Sequence, residues 1–318
     1  MHKVQLGNSN YRASAVALGI MRMNALTAPE AATVLDTIKD VGINYIDSAD
    51  IYGGGDSERV LGKALKRAGA NRNDFFIQSK TGIVPSKGDS PLGEAPYGGR
   101  YDFSKHHILE AVDGILERLQ VDYLDALLLH RPDALMDVDK VAAAFDELLA
   151  SGKVRHFGVS NFNPGQVELL QSAVNQKLLV NQLQFGVMHT GPVDFGIHTN
   201  MTDEASVDHD GGVIEYSRLH RMTIQTWSPF QYGQIQGTFI NNPAFPEVNR
   251  VLGIVAEKYG VSKNAIAAAW ILRHPAHMQV IIGTMNPDHI RDSAAGADVS
   301  LTRQEWYDIY FAAGHDLP

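Results

Sequence analysis

The sequence alternates short apolar runs with longer segments of helical periodicity, and this alternation limits the possible folds more than any other feature. One helical segment follows Ser104 and runs to Leu119, with its apolar residues on a single 3.6-residue face. Short buried strands that alternate with helices predict a parallel sheet with right-handed crossovers. The apolar runs are Val16–Leu18, Tyr45–Ile46, Phe75–Ile77, Leu124–Leu129, His156–Val159, Leu178–Val180, Thr223–Thr226 and Val280–Ile282.

Eight strand–helix units in one chain of 318 residues predict an α/β fold, a (β/α)8 TIM barrel that forms a single domain over residues 1–318. Val4–Leu6 and Arg12–Ala15 predict an N-terminal β-hairpin that plugs the barrel. The segment from Thr302 to Ala313 predicts a C-terminal helix docked on the barrel side. An open doubly wound sheet is the alternative, but the G-x-G-x-x-G turn typical of that fold is absent.

Three long segments are expected to be βα loops at the C-terminal mouth of the barrel: residues 81–103, 186–212 and 231–242. The second of them is rich in His, Asp and Glu, which allows a metal site or a solvated acidic loop. We expect the solvated loop and no metal. Five aromatic residues lie on or beside these loops, and two interpretations of them are open: they line a substrate wall, or they pack within the loops. They are Tyr97, Tyr101, Phe185, Phe230 and Tyr232.

Composition excludes several classes of function. The chain has 36 acidic and 27 basic side chains, a net charge of −9, which disfavours a nucleic-acid partner. The absence of cysteine excludes disulfides, thiol catalysis and cysteine-ligated metals. No run of 18 apolar residues and no apolar N-terminal segment occur, so we expect no membrane partner and a cytoplasmic location. No segment marks an obligate interface, so the oligomeric state stays open and a monomer is plausible.

Polar residues follow the apolar runs at the points where the predicted strands end. Asp47, Lys80 and His130 follow the second, third and fourth runs, and Ser160 follows the fifth. Later runs end near Gln182, Trp227 and Gly283. Because the carboxyl ends of barrel strands converge on one mouth, these residues predict an active site there.

Three of these residues, together with Tyr52, suggest proton transfer. Tyr52 follows Asp47 by five residues, and a phenol takes part in proton transfer near neutral pH only when its environment favours the phenolate. A buried Lys80 ammonium, kept charged by Asp47, does this, and His130 orients a carbonyl oxygen. A Schiff base on Lys80 is the rival chemistry, but it needs a lowered lysine pKa, which a neighbouring carboxylate opposes.

These residues and several motifs resemble the aldo-keto reductases over essentially the whole chain. The resemblance implies a (β/α)8 barrel that binds an extended nicotinamide cofactor without a Rossmann domain. It also implies that Tyr52 is the general acid, that Lys80 and Asp47 tune it, and that His130 orients the carbonyl. The motifs are Asp47–Tyr52, Lys80, Leu127–Pro132, Gly152–Arg155, Gly158–Phe162, Asn181-Gln182 and Trp227–Pro229.

The resemblance also implies which residues bind the cofactor. Ser160, Asn161 and Gln182 would hydrogen-bond the nicotinamide carboxamide. Trp227 would stack on the nicotinamide ring, and Ser228 and Phe230 would line the pyrophosphate path. The segment from Ile282 to Ile290 resembles the loop for adenosine 2′-phosphate, to which Gly283, Thr284, Asn286 and His289 belong, with Asp292 near the adenine.

The 2′-phosphate segment departs from the family pattern. Many members have Lys at the position of Gly283 and Arg at the position of His289, and these cations suit a phosphate. Thr284, the amides near Asn286 and the start of the helix that follows remain, with His289 and Arg291 as cations. NADPH is the expected cofactor and NADH the alternative.

The glycine turn Gly53–Gly55 precedes a helical segment and allows two interpretations. It is a phosphate cradle, or it leads into a helix whose first turn is capped by Asp56 and Glu58. We expect the cap, because two carboxylates repel an anion.

The sequence thus predicts an NADPH-dependent reductase that converts aldehydes or ketones to alcohols, with a small-molecule carbonyl substrate. The competing hypothesis is a nicotinamide-nucleotide-binding auxiliary subunit that senses redox state with little turnover. The presence of Asp47, Tyr52, Lys80 and His130 together favours the enzyme.

Overall fold

A computed structural model describes residues 1–67, 71–88, 90–233 and 236–318. The predicted loop segments 81–103 and 231–242 therefore lie partly outside the described residues. The strands are β1 (Lys3–Gln5), β2 (Arg12–Ser14), β3 (Val16–Gly19), β4 (Tyr45–Asp47), β5 (Phe76–Thr81), β6 (Ile83–Val84), β7 (Arg100–Tyr101), β8 (Leu124–Leu129), β9 (Val154–Ser160), β10 (Leu178–Gln184), β11 (Thr223–Trp227) and β12 (Gln279–Ile282).

Helices are interspersed with the strands along the chain. They are α1 (Ala28–Asp40), α2 (Asp56–Arg67), α3 (Lys105–Leu119), α4 (Val138–Ala150), α5 (Pro164–Gln171), α6 (Gly191–Ile197), α7 (Val213–Leu219), α8 (Pro246–Tyr259), α9 (Lys263–Leu272), α10 (Pro287–Ala295) and α11 (Arg303–Ala312). None of the helices in the described ranges has the length and apolar content needed to cross a bilayer.

Eight strands form a closed barrel in the order β10-β11-β12-β3-β4-β5-β8-β9. Neighbouring strands pair in parallel where Val16 lies opposite Val280, Ile46 opposite Ile77 and Leu128 opposite Gly158. Each of the eight predicted apolar runs supplies one barrel strand, so the TIM-barrel prediction is confirmed. The N-terminal hairpin is also confirmed, since β1 pairs antiparallel with β2.

Local sequence signals explain where the helices begin. Ser104 caps α3 by accepting a hydrogen bond from the His107 amide, and the predicted apolar stripe of that helix is buried. Thr27 and Glu30 form a reciprocal pair at the start of α1, because each side chain accepts from the other residue's amide. Thr302 and Glu305 repeat this arrangement at α11.

The chain packs as two compact units, which are described separately. One comprises residues 1–18, 37–44 and 182–318, and the other comprises residues 19–36 and 45–181. The prediction that residues 1–318 form one domain stays a prediction.

An aromatic stack holds the C-terminal helix in the first unit. Trp306 of α11 stacks on Trp270 of α9 with ring centroids 4.6 Å apart, and each indole N–H donates to the other residue's carbonyl oxygen. Phe185 stacks on the other indole, Trp270, at 5.6 Å and is fully buried. The docked C-terminal helix is therefore confirmed, and a place for Phe185 in a substrate wall is wrong because its ring packs in the core.

The segment 186–212 combines a short helix with an exposed acidic stretch. It contains α6, whose Asp194 accepts a hydrogen bond from the Tyr310 hydroxyl at 2.7 Å. His198 is buried, and its Nδ1 lies 3.1 Å from an Asp203 oxygen. The prediction of a solvated loop is therefore wrong for Asp194 and His198, which contacts with α11 and within the segment hold in place, whereas residues 201–204 and 207–209 are exposed as expected.

Candidate active site

A buried ion pair joins the ends of two neighbouring strands in the second unit. Lys80 Nζ lies 2.7 and 2.8 Å from the two carboxylate oxygens of Asp47, and it donates a third hydrogen bond to the Ser48 carbonyl at 2.7 Å. The side chains are 1% and 3% exposed. Burial alone would lower the pKa of Lys80, but the attraction of Asp47 raises it above its ordinary value. The lysine is therefore a charged ammonium, which argues against Schiff-base chemistry.

Tyr52 begins a tight turn that places its ring over this ammonium. The turn spans Tyr52–Gly55, and Gly53 and Gly54 have φ of 58° and 65°, a region that favours glycine. Lys80 Nζ lies 5.1 Å from the centroid of the Tyr52 ring. Burial raises the pKa of the phenol, and the charge of Lys80 opposes this without cancelling it. The net direction is opposite to the sequence expectation, because burial outweighs the ammonium.

His130 follows β8, and its ring lies beside the Tyr52 ring. Its ring lies edge-on to the Tyr52 ring, with centroids 6.2 Å apart and planes at 82°. Burial, together with the charges of Lys80 and Arg131, holds the pKa of His130 well below its ordinary value, so the imidazole is neutral. Its Nδ1 is buried without a hydrogen-bond partner among the described residues. The structure thus brings together all four predicted residues: Asp47, Tyr52, Lys80 and His130.

This arrangement suits proton donation to an oxygen that gains negative charge. The Tyr52 phenol holds its proton at neutral pH, since its pKa is raised. The Lys80 ammonium beside it stabilises the phenolate that remains after the proton leaves. A neutral imidazole offers a hydrogen bond to the same oxygen without competing for the proton.

Two buried residues that the sequence gives no reason to expect at the site support Asp47. The Gln78 amide donates from Nε2 to an Asp47 oxygen at 2.7 Å, and the Tyr45 hydroxyl lies 2.6 Å from Gln78 Oε1. All three side chains are buried. Since a carboxylate only accepts, Nε2 must face Asp47, and Oε1 then accepts from Tyr45. This chain fixes the direction of the carboxylate that holds Lys80.

Glu58 lies in a second buried network instead of capping α2. Its carboxylate is 2.8 Å from Arg118 Nε and accepts hydrogen bonds from the hydroxyls of Ser48 and Ser79. The capping role expected of Glu58 is therefore wrong: its side chain is fully buried and turned to α3 and β5. Asp56, at the same helix start, is exposed and pairs with Arg59.

Asp50 lies between Asp47 and Tyr52 in the sequence and carries a perturbed carboxyl group. Burial, with the negative charge of Glu58, raises the pKa of Asp50 to about 6. One of its oxygens is buried without a hydrogen-bond partner in the described part of the chain. Nothing in the sequence alone assigns a role to this residue.

Two of the expected cofactor ligands lie at the end of β9 in the second unit: Ser160 is the last residue of the strand, and Asn161 follows it. Asn161 adopts a left-handed conformation, with φ of 63°, and its Nδ2 donates to the Ser160 hydroxyl at 2.8 Å. The same nitrogen lies 3.4 Å from the His130 carbonyl oxygen. These bonds direct the asparagine amide and place both residues beside the end of β8.

Other expected ligands belong to the first unit. Gln182 is buried in β10 and donates to Gln225 of β11 at 3.1 Å. Trp227 ends β11 and is half-buried, and Ser228 follows it with φ of 49°. The Ser228 carbonyl accepts from the Gln231 amide, and the Phe230 carbonyl accepts from the Phe239 amide, so both lie in a folded turn.

The segment expected to bind a 2′-phosphate follows β12. Thr284 Oγ1 accepts from the Asn286 amide, and the Asn286 side chain accepts from the amides of Asp288 and His289. Asn286 therefore already caps α10, so its side chain occupies the amides expected to meet the phosphate. His289 is exposed, Gly283 and Asp292 are half-buried, and Arg291 lies 3.3 Å from Asp288.

Comparison with known proteins decides the family. The sequence profile of the Aldo/keto reductase family matches residues 15–310. The chain belongs to this family. Membership of the family confirms the expected enzyme class, an oxidoreductase. The strand-end residues of the site all lie within the matched range.

Relatives and a solved structure agree with the family and the fold. The chain is similar to a 6-dehydroglucose reductase of Agrobacterium fabrum, with 35% identity over 86% of this chain and 84% of the relative. It is also 35% identical to the oxidoreductase YdhF of Escherichia coli, over 92% and 91% of the two chains. An aldo-keto reductase from Klebsiella pneumoniae, crystallised in complex with NADPH, superposes with a TM-score of 0.74 at 22% identity, covering 97% of this chain and 93% of that one.

Proposed function

We propose that this family member is an NADPH-dependent reductase of aldehydes or ketones. The observation that carries the proposal is the buried Asp47–Lys80 pair beneath the Tyr52 ring, with the neutral His130 at its edge. When bound, the nicotinamide cofactor supplies the hydride that reduces the carbonyl carbon. Each of the four residues then has a distinct task in handling the carbonyl oxygen.

Tyr52 donates its proton to the carbonyl oxygen as negative charge develops there. Its raised pKa keeps the donor protonated, and the Lys80 ammonium stabilises the phenolate that remains. Asp47 keeps Lys80 charged and fixes its position through two hydrogen bonds. His130, held neutral, donates a hydrogen bond that orients the carbonyl.

The chemistry of the side chains fits a nicotinamide carboxamide, which carries one acceptor and two N–H donors. Ser160, Asn161 and Gln182 offer hydroxyl and amide groups that both donate and accept. Trp227 offers an aromatic face for the ring, and Ser228 and Phe230 are assigned to the pyrophosphate path. This assignment of cofactor ligands is part of the proposal.

The choice of NADPH rests on the family and on the neighbour crystallised with that cofactor. Thr284 and the start of α10 supply polar groups to a 2′-phosphate, and His289 supplies an exposed imidazole. Arg291 already pairs with Asp288, and the first amides of α10 are capped by Asn286. We therefore expect weaker discrimination against NADH than Lys and Arg at positions 283 and 289 would give.

The first experiment is a titration of the protein with NADPH and, separately, NADH, followed by tryptophan fluorescence. Carbonyl reduction is then measured on a panel of aldehydes and ketones, including 6-dehydroglucose, the compound in the name of the Agrobacterium relative. In Tyr52→Phe, cofactor affinity should be nearly unchanged while kcat falls about 10²- to 10⁴-fold, the usual contribution of a general acid.

Tyr307→Phe on α11 is the matched control and should keep wild-type kcat. If neither cofactor binds, the hydride-transfer proposal fails. Tight cofactor binding with slow turnover of every carbonyl would favour an auxiliary, redox-sensing subunit instead. Near-native kcat in Tyr52→Phe would remove Tyr52 from the mechanism.

A further inference from the structure

Two serine hydroxyls donate to the same buried oxygen behind the ion pair of the site. Ser79 Oγ lies 2.8 Å and Ser48 Oγ 3.2 Å from Glu58 Oε1. The other oxygen of this carboxylate, Oε2, accepts from Arg118 Nε at 2.8 Å. The glutamate and both serines are fully buried. Donors from the end of β4, from β5 and from α3 therefore converge on one carboxylate of α2.

The two serines are the immediate neighbours of the residues that form the ion pair. Ser48 follows Asp47, and Ser79 precedes Lys80. Successive side chains of an extended strand point to opposite faces, so the ion pair lies on one face of the sheet and the serines lie on the other. That second face is covered by α2 and α3, which carry Glu58 and its arginine. Glu58 thus ties the ends of β4 and β5 together from the face opposite the ion pair.

Ser48 connects the two faces directly. Its amide donates to the Gln78 carbonyl at 2.8 Å, and its hydroxyl donates to Glu58. Its own carbonyl accepts from Lys80 Nζ at 2.7 Å and is the third acceptor of that ammonium. The direction of this carbonyl therefore depends on the strand pairing and on the bond to Glu58. The ammonium that it holds lies 5.1 Å from the centroid of the Tyr52 ring.

We propose that Glu58 is a positioning residue for proton donation, which fixes the ends of β4 and β5 and so holds the Lys80 ammonium beside the Tyr52 ring. This inference rests on the proposed function, in which that ammonium stabilises the Tyr52 phenolate. The task requires a buried acceptor oxygen at position 58 for the two hydroxyls. The negative charge is balanced by Arg118, so loss of both charges with retention of the oxygen should preserve the task.

Two double variants separate the oxygen from the charge, and both replace Arg118 so that no buried charge is left unpaired. Glu58→Gln/Arg118→Met, the glutamine variant, keeps an oxygen that accepts from both hydroxyls. Glu58→Met/Arg118→Met, the methionine variant, has no acceptor there. Ser48→Ala/Ser79→Ala, the serine variant, removes both donors and keeps the Glu58–Arg118 ion pair. If the methionine variant does not fold, the serine variant decides the test.

The first measurement needs no turnover. The Lys80 ammonium is buried and donates three hydrogen bonds, so its protons should exchange slowly with water and give a signal in nitrogen-edited proton NMR. The signal is assigned by its absence from Lys80→Met. It should be present in wild type and in the glutamine variant. It should broaden or disappear in the methionine and serine variants, because the ammonium then exchanges faster.

The second measurement is carbonyl reduction. In the methionine variant kcat should fall about 10- to 100-fold, the effect of a displacement of about 1 Å near the reacting atoms, while the NADPH dissociation constant stays within about twofold. The solvent isotope effect on kcat should increase, because proton donation becomes the slow step. A smaller folded fraction would lower kcat without this increase. The glutamine variant should stay within about threefold of wild type, since it keeps both serine hydrogen bonds.

Asp125→Asn controls for the loss of a buried carboxylate elsewhere in the same unit. Asp125 pairs with Arg72 at 2.6 Å and accepts from the Ile77 amide at 2.9 Å. These contacts lie at the start of β5 and β8, at the opposite end of the strands from the site. This variant should lower the melting temperature, whereas the ammonium signal, kcat and the isotope effect should keep their wild-type values.

The outcomes distinguish this inference from the function on which it rests. If the wild-type protein neither binds NADPH nor reduces any carbonyl, the proposed function fails, and the ammonium signal still tests the hold of Glu58 on Lys80. Absence of the signal from wild type overturns the inference, as does its persistence in both the methionine and the serine variant. An equal loss of kcat in the glutamine and methionine variants, or an equal loss in Asp125→Asn, also overturns it.

Discussion

Asp50→Asn should make the protein more stable at alkaline pH, and the structure gives the size of the effect. The folded protein raises the pKa of Asp50 from 3.8 to about 6, because burial disfavours the carboxylate and Glu58 repels it. The interval between these two values corresponds to about 3 kcal/mol. The native carboxyl group keeps its proton up to about pH 6, whereas the unfolded chain releases it near pH 4.

The sign of the effect follows from this difference in proton binding. As pH rises from 4 towards 6, the native state binds more protons than the unfolded state, so the free energy of unfolding decreases. Asparagine is neutral throughout and lacks this loss. The advantage of Asp50→Asn over wild type should therefore grow by about 2.5 kcal/mol between pH 4 and pH 8.

Urea unfolding of both proteins at pH 4, 5, 6, 7 and 8 measures this prediction. Asp56→Asn is the matched control, because Asp56 begins α2 nearby and its side chain is 67% exposed. The control should show the same pH dependence as wild type. A constant difference between Asp50→Asn and wild type at every pH would refute the reasoning, since it would mean that Asp50 ionises alike in the folded and unfolded protein.

Two further substitutions test the buried networks around the site. Arg118→Met leaves the Glu58 carboxylate buried without its cation and should lower the free energy of unfolding by about 3–5 kcal/mol at pH 8, as measured in urea. Glu58→Gln in the same chain should recover much of this loss, and no recovery would contradict the pairing. Gln78→Met removes one hydrogen-bond donor from Asp47 and should lower the free energy of unfolding by about 2 kcal/mol. It should also displace the pH profile of kcat, while KM changes little. A pH profile identical to wild type would assign Gln78 to stability alone.

Much of the fold could be predicted because its signal is local and repeated. Each parallel strand is buried on both faces, so it appears in the sequence as a short apolar run such as Leu124–Leu129. The site could be predicted for a related reason. Asp47, Lys80 and His130 interrupt or follow such runs, and a barrel gathers strand ends.

The supporting residues could not be predicted because their partners are distant in the sequence. Gln78 and Gln225 lie within apolar strands, and nothing next to them in the sequence shows which polar groups face them inside the barrel. Glu58 has the position of a helix cap, and only the packing of α2 on α3 turns it to Arg118. The position of Asp194 depends on Tyr310, which lies 116 residues further along the chain.

The strand pairing between β3 and β12 has a consequence for synthesis of the chain. Val16 emerges from the ribosome long before its partner Val280, which lies on the last barrel strand to be made. The pairing of β3 with β12 therefore forms only after the other described strands have been made, and until then the edge of β3 carries unpaired backbone groups. A nascent chain halted before β12 should be an open, association-prone sheet. Chaperone binding to stalled chains should then fall sharply once residue 282 has left the exit tunnel.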